Sequence, residues 1–426
     1  MIFYHKFKNK LNLLLTATCL LLPVTYSSSH ATNLQDAIST SQANNRNIKL
    51  EQIKLKATKT TKTEAITEFL PNISVNGQYG NKNETFKGQT ADPSTKQRVE
   101  EIKLDQPLFD GFHSVSKYAQ ANYKIKSAKS KTSDKIQEIS FAAVQSYCNL
   151  FRYSELEKLQ KENKNLAKRF MDLVQRRKDV LIINKGDIIK FGYEASISDE
   201  KYLDAINKLN KAKFDYKNIV GELHQNLNEP KIVEEDFNAD KVLESALSDN
   251  NSIKSSHYDY LASKASYNAT KSNFSPKLSL SATARKQAQV VYLNNQDLNS
   301  KSIFLNVSIP IFQKGTEYAS LSRAGYEKEA ALEEYEITKD SVAKEVNQTL
   351  EEYRFYSSMN KSNKKLFEMA KNREEIFNKR LKSKVEDPIE VIRTKIETNE
   401  RKINYIESQM NLIITYYKIK YFLGEI

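Results

Sequence analysis

The sequence predicts a mainly α protein with a membrane β-barrel portion, built as two tandem repeats of one unit. Three observations lead there. Landmarks around prolines recur about 205 residues apart. Stretches of about 70 residues lack proline and nearly lack glycine, and keep an apolar rhythm of three or four residues. Short runs that alternate at period two flank the prolines. Composition agrees. The chain has 426 residues with only 10 Gly and 8 Pro, so tight turns are few and elements are long. A doubly wound nucleotide-binding fold is disfavoured on that count. With 28% charged residues and a mean hydropathy of -0.63, a helical multispan transporter is excluded. Two cysteines exclude a disulfide scaffold and a cysteine metal cluster.

The first segment reads as an export signal. Lys6, Lys8 and Lys10 precede an apolar run from Leu11 to Val24, and Ser29-His30-Ala31 offers small residues at a cleavage site. The run is short of the ~20 residues a spanning helix needs. Residues 1–31 are therefore expected to be a signal peptide. Cys19 lies within them in a poor lipidation context, which leaves Cys148 alone in the mature chain. No second apolar run of spanning length follows, so any membrane insertion must use a β-barrel. The formal charge of +13 comes from lysines spread among glutamates, a solvated surface. No nucleic-acid reading motif accompanies it, so no nucleic-acid partner is expected.

Repeat 1 is placed at 32–230 and repeat 2 at 231–426. Leu70-Pro71-Asn72-Ile73-Ser74-Val75 is echoed by Ser275-Pro276-Lys277-Leu278-Ser279-Leu280, an offset of 205. Asp105-Gln106-Pro107-Leu108-Phe109-Asp110-Gly111 is echoed by Ser308-Ile309-Pro310-Ile311-Phe312, with the prolines 203 apart. Asn184-Lys185-Gly186-Asp187-Ile188 is echoed more weakly by Lys384-Val385-Glu386-Asp387-Pro388-Ile389. Each unit opens with a helical segment, Leu34 to Phe69 and Lys241 to Phe274.

Strands follow, about 72–82 and 98–107 in the first unit and 277–290 and 301–310 in the second, with Pro71, Pro107, Pro276 and Pro310 as their boundaries. Ile73, Val75 and Tyr79 alternate with polar neighbours, as do Leu278, Leu280 and Ala282, and Ile303, Leu305 and Val307. Period two with one polar face suits a half-buried strand, or a barrel strand between lipid and water. Polar loops, Asn295 to Ser300 among them, suit hairpin tips. Phe109, Phe112 and Phe312 fall where strands meet helices. They fit an aromatic girdle and core packing equally well.

The long helices are expected at about 112–183 and 316–384. Their seams are rich in alanine, as in Ala121, Ile125, Ala128, Thr132, Ile136, Ile139, Ala143 and Tyr147. A continuous helix of about 70 residues is roughly 105 Å long. Returning helices are expected at about 188–227 and 389–421. Gly186 and Asp187 mark the first turn, Asp387 and Pro388 the second. Both aspartates suit N-caps, and Pro388 suits the first helical position. The returning helices are too short to cover their partners alone. Each opening segment, stacked end to end with a returning helix, supplies the missing length.

Four strands cannot close a barrel, and lipid tolerates no free edge. Several chains must therefore share one barrel in a cyclic assembly. Two chains give eight strands and three give twelve.

These features together resemble the outer membrane efflux proteins of the TolC type, across about Thr32 to Leu423. The carriers are the exported start, the duplicated unit, Leu70-Pro71, Gln106-Pro107-Leu108-Phe109-Asp110-Gly111, Pro310-Ile311-Phe312 and the closing Tyr421-Phe422-Leu423-Gly424. The resemblance implies a homotrimer with a shared 12-stranded barrel in the outer membrane lipid and a periplasmic α-barrel tunnel. It implies a periplasmic adaptor and an inner-membrane efflux pump or ATP-driven exporter as partners. Conduction would be passive, gated at the helical tip. The family's acidic constriction on the second returning helix falls at Glu390, and the next inward position at Arg393. The second is normally acidic, so Arg393 departs from the pattern and puts cation selectivity in doubt. Lys190 and Tyr193 are the first-unit counterparts. A solvated Glu/Arg pair at spacing three is the plain alternative.

No enzyme is expected and no cofactor is called for. His113, His224 and His257 lie far apart on different elements, no metal-binding His spacing occurs, and no Gly-rich phosphate loop exists. Two rival readings remain. An exported coiled-coil spacer or adhesin explains the helices but not the paired strands. A periplasmic adaptor would carry one helical hairpin and Gly-rich β domains.

Overall fold

A computed structural model of the chain describes residues 33–83, 94–179, 185–223, 227–291 and 294–426. The expected signal peptide with Cys19, and His224, lie outside the described residues. Two units follow one another with matching elements. The first has α1 (Leu34–Asn44), α2 (Arg46–Thr67), β1 (Asn72–Asn83), β2 (Ser94–Phe109), α3 (His113–Asp179) and α4 (Lys185–Val220). The second has α5 (Ala239–Asp249), α6 (Asn251–Lys271), β3 (Lys277–Val291), β4 (Asn294–Ser308), α7 (Thr316–Lys382) and α8 (Pro388–Leu423). Both α3 and α7 have 67 residues, and both α4 and α8 have 36. At 1.5 Å per residue the long pair reach about 100 Å.

The strands form one antiparallel sheet in the order β1-β2-β3-β4. Register puts Ile73 opposite Leu104, Leu104 opposite Ala282, and Ala282 opposite Ile303. One face is therefore apolar at the helix-proximal end. The other carries Ser74, Lys103, Thr283 and Ser302 at the neighbouring level. In β2, Lys96, Arg98 and Glu100 are exposed while Val99 is buried, so the apolar face is the convex one. Pro71 and Pro276 directly precede β1 and β3, and Pro310 follows β4 by two residues. Pro107 corrects the expected boundary, because it lies inside β2. β1 begins opposite Asp105, so β2 is a free edge on that side beyond it, and a bulge follows at Pro107/Phe109. Both settings tolerate a missing amide hydrogen. The expected loop Asn295 to Ser300 is instead part of β4. β2 likewise starts at Ser94, before the expected 98.

The opening helices are broken, which the seam pattern did not show. Asn45 caps α2 by accepting from the Asn47 amide at 2.9 Å, and its side-chain amide donates to the Ile219 carbonyl at 3.1 Å. Asn250 repeats this. It accepts from the amides of Ser252 and Ile253 and donates to the Phe422 carbonyl at 3.4 Å. Each asparagine thus starts the second opening segment and pins it to the end of a returning helix. The returning helices stop at left-handed glycines, Gly221 (φ 96°) and Gly424 (φ 75°). α4 therefore ends at Val220, short of the expected 227.

The helices form one layer. α3 packs on α2 and α6 in the strand-proximal half, and on α4 and α8 in the distal half. α7 packs on α6 and then α8. The core sits at the middle of the layer, where α1, α3, α4 and α8 bury Ala143, Val144, Tyr147, Tyr216 and Met410. The Tyr147 hydroxyl donates to the Asn228 carbonyl at 2.7 Å. A second cluster joins α5, α7 and α8 through Val346, Leu350, Leu412 and Ile419.

The two pins give a first prediction. Asn45→Ala and Asn250→Ala each lose a cap and an interhelical hydrogen bond, and each lowers stability by about 1–2 kcal/mol. Asn→Asp keeps the cap acceptor but cannot donate to the carbonyl, so it falls between. Thermal melts of the extracted protein check this order.

Candidate functional site: the helical tip

The distal end of the layer is made by the end of α3, the start of α4, the end of α7 and the start of α8. A small core holds it together. Phe170, Val174 and Ile389 are buried there, with Ile188, Phe191 and Ile392 packed against them. Phe170 and Phe191 meet edge to face with centroids 5.0 Å apart. This core ties α3, α4 and α8 into one body.

The turn from α7 into α8 is closed by local hydrogen bonds. The Val385 amide donates to the Arg380 carbonyl at 3.0 Å, and Lys384 takes a left-handed φ of 57°. Asp387 then caps α8. Its carboxylate accepts from the Ile389 amide at 2.9 Å, with Pro388 at the first helical position. The same carboxylate accepts two hydrogen bonds from the Arg177 guanidinium on α3, at 2.8 and 2.7 Å. Hydrogen bonding to Arg177 holds the Asp387 carboxyl below its ordinary value, with the Ile389 amide adding to the effect. The pair stands at the surface, with side-chain exposures of 33% and 38%, so its worth rests on bidentate geometry rather than burial.

Glu390 in the first turn of α8 and Arg393 three residues on pair with each other at 3.0 Å. Arg393 also stands over the rings of Phe170 and Phe191, at 5.4 and 5.5 Å. It lines an open cleft between α3, α4 and α8 with Glu194, Lys201, Glu397 and Glu400. Lys190 and Tyr193 are exposed on α4, Tyr193 at 68%. The structure brings Glu390 and Arg393 together. In the first turn, residues 180–184 lie outside the described residues. α4 begins at Lys185, so Gly186 and Asp187 are its second and third residues rather than residues of the turn before it. Arg177 and the two phenylalanines were missed because their partners are more than 15 residues away in sequence and on other helices.

Farther from the tip, α8 is bolted to α3 and α7 by polar contacts. Asn399 donates to Asn163 at 2.9 Å, and Lys395 reaches both Glu162 and Glu374. At the other end of the helices, Phe109 and Phe112 meet edge to face at 5.4 Å. Phe109, Phe112 and Phe312 are 40%, 64% and 73% exposed, so none packs in a core within this chain. Gly111 beside them has φ 71°, and a β-carbon there would collide with the Ser275 side chain, which fixes glycine at this junction.

Among the described residues, nothing at either end suggests catalysis. Burial pushes the Cys148 thiol up to about 12, so it stays protonated and inert. His113 bonds to Ala269 and Ser272, and the His257 ring meets Tyr335 at a 45° tilt. Among the described residues no cluster could hold a metal ion, and no helix is long and apolar enough to cross a membrane.

The chain matches the family model described as outer membrane efflux protein over residues 37–180 and 242–376, once in each unit. The outer membrane efflux protein BepC of Brucella suis biovar 1 is 24% identical over 254 residues, 58% of this chain and 54% of that protein. The match thus spans about half the length of that curated relative. Among solved structures, the outer membrane protein VceC from Vibrio cholerae superposes with a TM-score of 0.76 at 13% identity, covering 92% of this chain and 96% of that one. The CmeC outer membrane channel of Campylobacter jejuni gives 0.75 at 14% identity, covering 92% and 85%. At such identities these likenesses speak for the fold.

Proposed function

The chain belongs to the outer membrane efflux protein family, and from that premise we propose that it is the outer-membrane duct of a tripartite efflux or type I secretion system. It is a passive conduit and not an enzyme, with a barrel portion in the outer membrane and a long helical extension into the periplasm. The observation that carries the reading is a sheet with two unpaired edges at the end of a helical layer that also has two free sides. Among the described residues β1 pairs only with β2, and β4 only with β3. On the β1 side the layer ends in α2 and α4, which expose Ile53, Leu203 and Phe214. On the β4 side it ends in α7, which exposes Tyr326, Ile337 and Phe355.

Cyclic assembly of three copies joins β4 of each chain to β1 of the next and closes twelve strands. It also covers the apolar flanks of α7 against α2 and α4. The concave polar sheet face then lines water, and the convex apolar face meets lipid. Phe109, Phe112 and Phe312 form the periplasmic aromatic girdle. The helical tip docks on a periplasmic adaptor, which couples the duct to an inner-membrane pump or ATP-driven exporter.

The gate is placed at the tip, with Glu390 and Arg393 on α8 and Lys190 and Tyr193 on α4. Arg393 is held by Glu390 and two aromatic rings, so its charge sits beside the Glu390 carboxylate and opposes it. Single-channel recording of the purified protein in planar bilayers tests both levels. Discrete steps are expected, with weak cation preference in the wild type. Arg393→Gln strengthens that preference by freeing three carboxylates, and Glu390→Gln abolishes it. Steps indifferent to both substitutions would displace the gate and leave the duct. A folded oligomer giving no steps, even after its tip is loosened, would overturn the duct.

A further inference from the structure

The outward face of the barrel portion carries a belt of cations where apolar residues give out. Register fixes its members. Along the convex face, Ile73, Leu104, Ala282 and Ile303 share one level, and Val75, Ile102, Ala284 and Lys301 share the next toward the hairpin tips. One level farther, Glu100 stands opposite Lys286. Beyond it come Arg98, opposite Tyr79, and then Lys96, opposite Asn81. Lys96, Arg98, Lys286 and Lys301 are all exposed. Glu100 pairs with Arg98, and Asp297 occupies the position opposite Ala288 on the same face. Among the described residues, four cations therefore share this face with two carboxylates on each chain.

Charged side chains on a lipid-facing wall are tolerated only where the hydrocarbon ends, and long cationic stems lie along the last apolar level with their heads in the interface. The helices leave from the opposite end of the sheet, so this interface is the outer one. The surplus of positive charge sits at the depth of lipid headgroups, and guanidinium and ammonium groups are the side chains that pair best with phosphate oxygens.

We propose that this belt binds phosphorylated lipid headgroups of the outer leaflet, holding an annulus of anionic lipid around the barrel. The inference rests on the barrel reading above. The test is native mass spectrometry of the detergent-purified oligomer mixed with bisphosphorylated lipid A or with its dephosphorylated form. The wild type is expected to retain the phosphorylated form at least tenfold more. Joint substitution of Lys96, Arg98, Lys286 and Lys301 by Gln removes the preference. Lys82→Gln, at a position the register puts on the concave face, leaves it unchanged. A wild type without preference overturns the proposal, as does a Lys82→Gln oligomer that loses as much as the fourfold variant. If the fourfold variant does not fold, the two lipid forms on the wild type still decide. A conducting oligomer with no phosphate preference overturns the lipid belt alone, whereas a chain that forms no oligomer overturns the barrel reading and the belt with it.

Discussion

Val75→Pro and Asn76→Pro, made separately, are both expected to abolish the heat-resistant oligomer. Neighbouring residues of a strand point their amides to opposite sides. One of the two amides therefore faces β2, and the other faces the free edge of β1. In an isolated four-stranded sheet the edge amide bonds only to water, and proline there costs little. In a closed barrel that amide donates to β4 of the next chain, and its loss in lipid leaves an unpaired carbonyl as well. Each such group costs several kcal/mol, repeated at all three seams. The pair of variants thus separates the two settings without knowing which amide is which. If either one keeps a heat-resistant oligomer that dissociates only on boiling, the β1 edge is not part of a closed barrel. If both fail while circular dichroism retains the helices, the seam is located at β1.

The duplication and the long helices were legible because they repeat a simple physical demand. A helix that packs along its whole length needs an uninterrupted apolar seam, and Ala143, Tyr147 and Leu150 keep it where the core is tightest. The strands were legible only over part of their length. Alternation requires two different environments on the two faces. Near Ile73, Leu104 and Ile303 one face is apolar and the other polar, and the pattern is plain. Toward the tips, at Ser94 to Gln97 or Asn295 to Ser300, nearly every residue on both faces is polar, so the residues read as loop although the ladder continues. The helix breaks were hidden for another reason. Asn45 and Asn250 do not interrupt the apolar rhythm, and their role depends on the ends of other helices, at Ile219 and Phe422. Their recurrence 205 residues apart was the available signal. At the tip, the Asp387-Pro388 start was local and readable. The guanidinium that locks it comes from Arg177, 210 residues away, and only the fold supplies it.

That lock carries the second large prediction. Arg177→Met keeps the stem of the side chain and removes both hydrogen bonds to Asp387. An exposed bidentate pair is worth about 1 kcal/mol. Where the pair holds only the shut form of the tip, three copies sum to about 3 kcal/mol, roughly a hundredfold in the ratio of shut to open. Mean conductance in planar bilayers then rises sharply, with little change in the melting temperature of the barrel. Asp387→Ser separates the lock from the cap, because serine still caps α8 but cannot take two guanidinium bonds. It should open the tip as Arg177→Met does, and combining the two should add almost nothing. Full additivity would mean that Arg177 and Asp387 act through different partners. The pH dependence has a definite sign. Asp387 has its pKa lowered from 3.8 by Arg177, so the lock is complete above that value and is lost as pH falls through the lower, folded value. Conductance of the wild type should therefore stay flat from neutral pH down to about 4 and rise only in stronger acid. In Arg177→Met that acid limb disappears. A wild type that opens between pH 5 and 7 would place its proton sensor on another group and remove this pair from control of the gate.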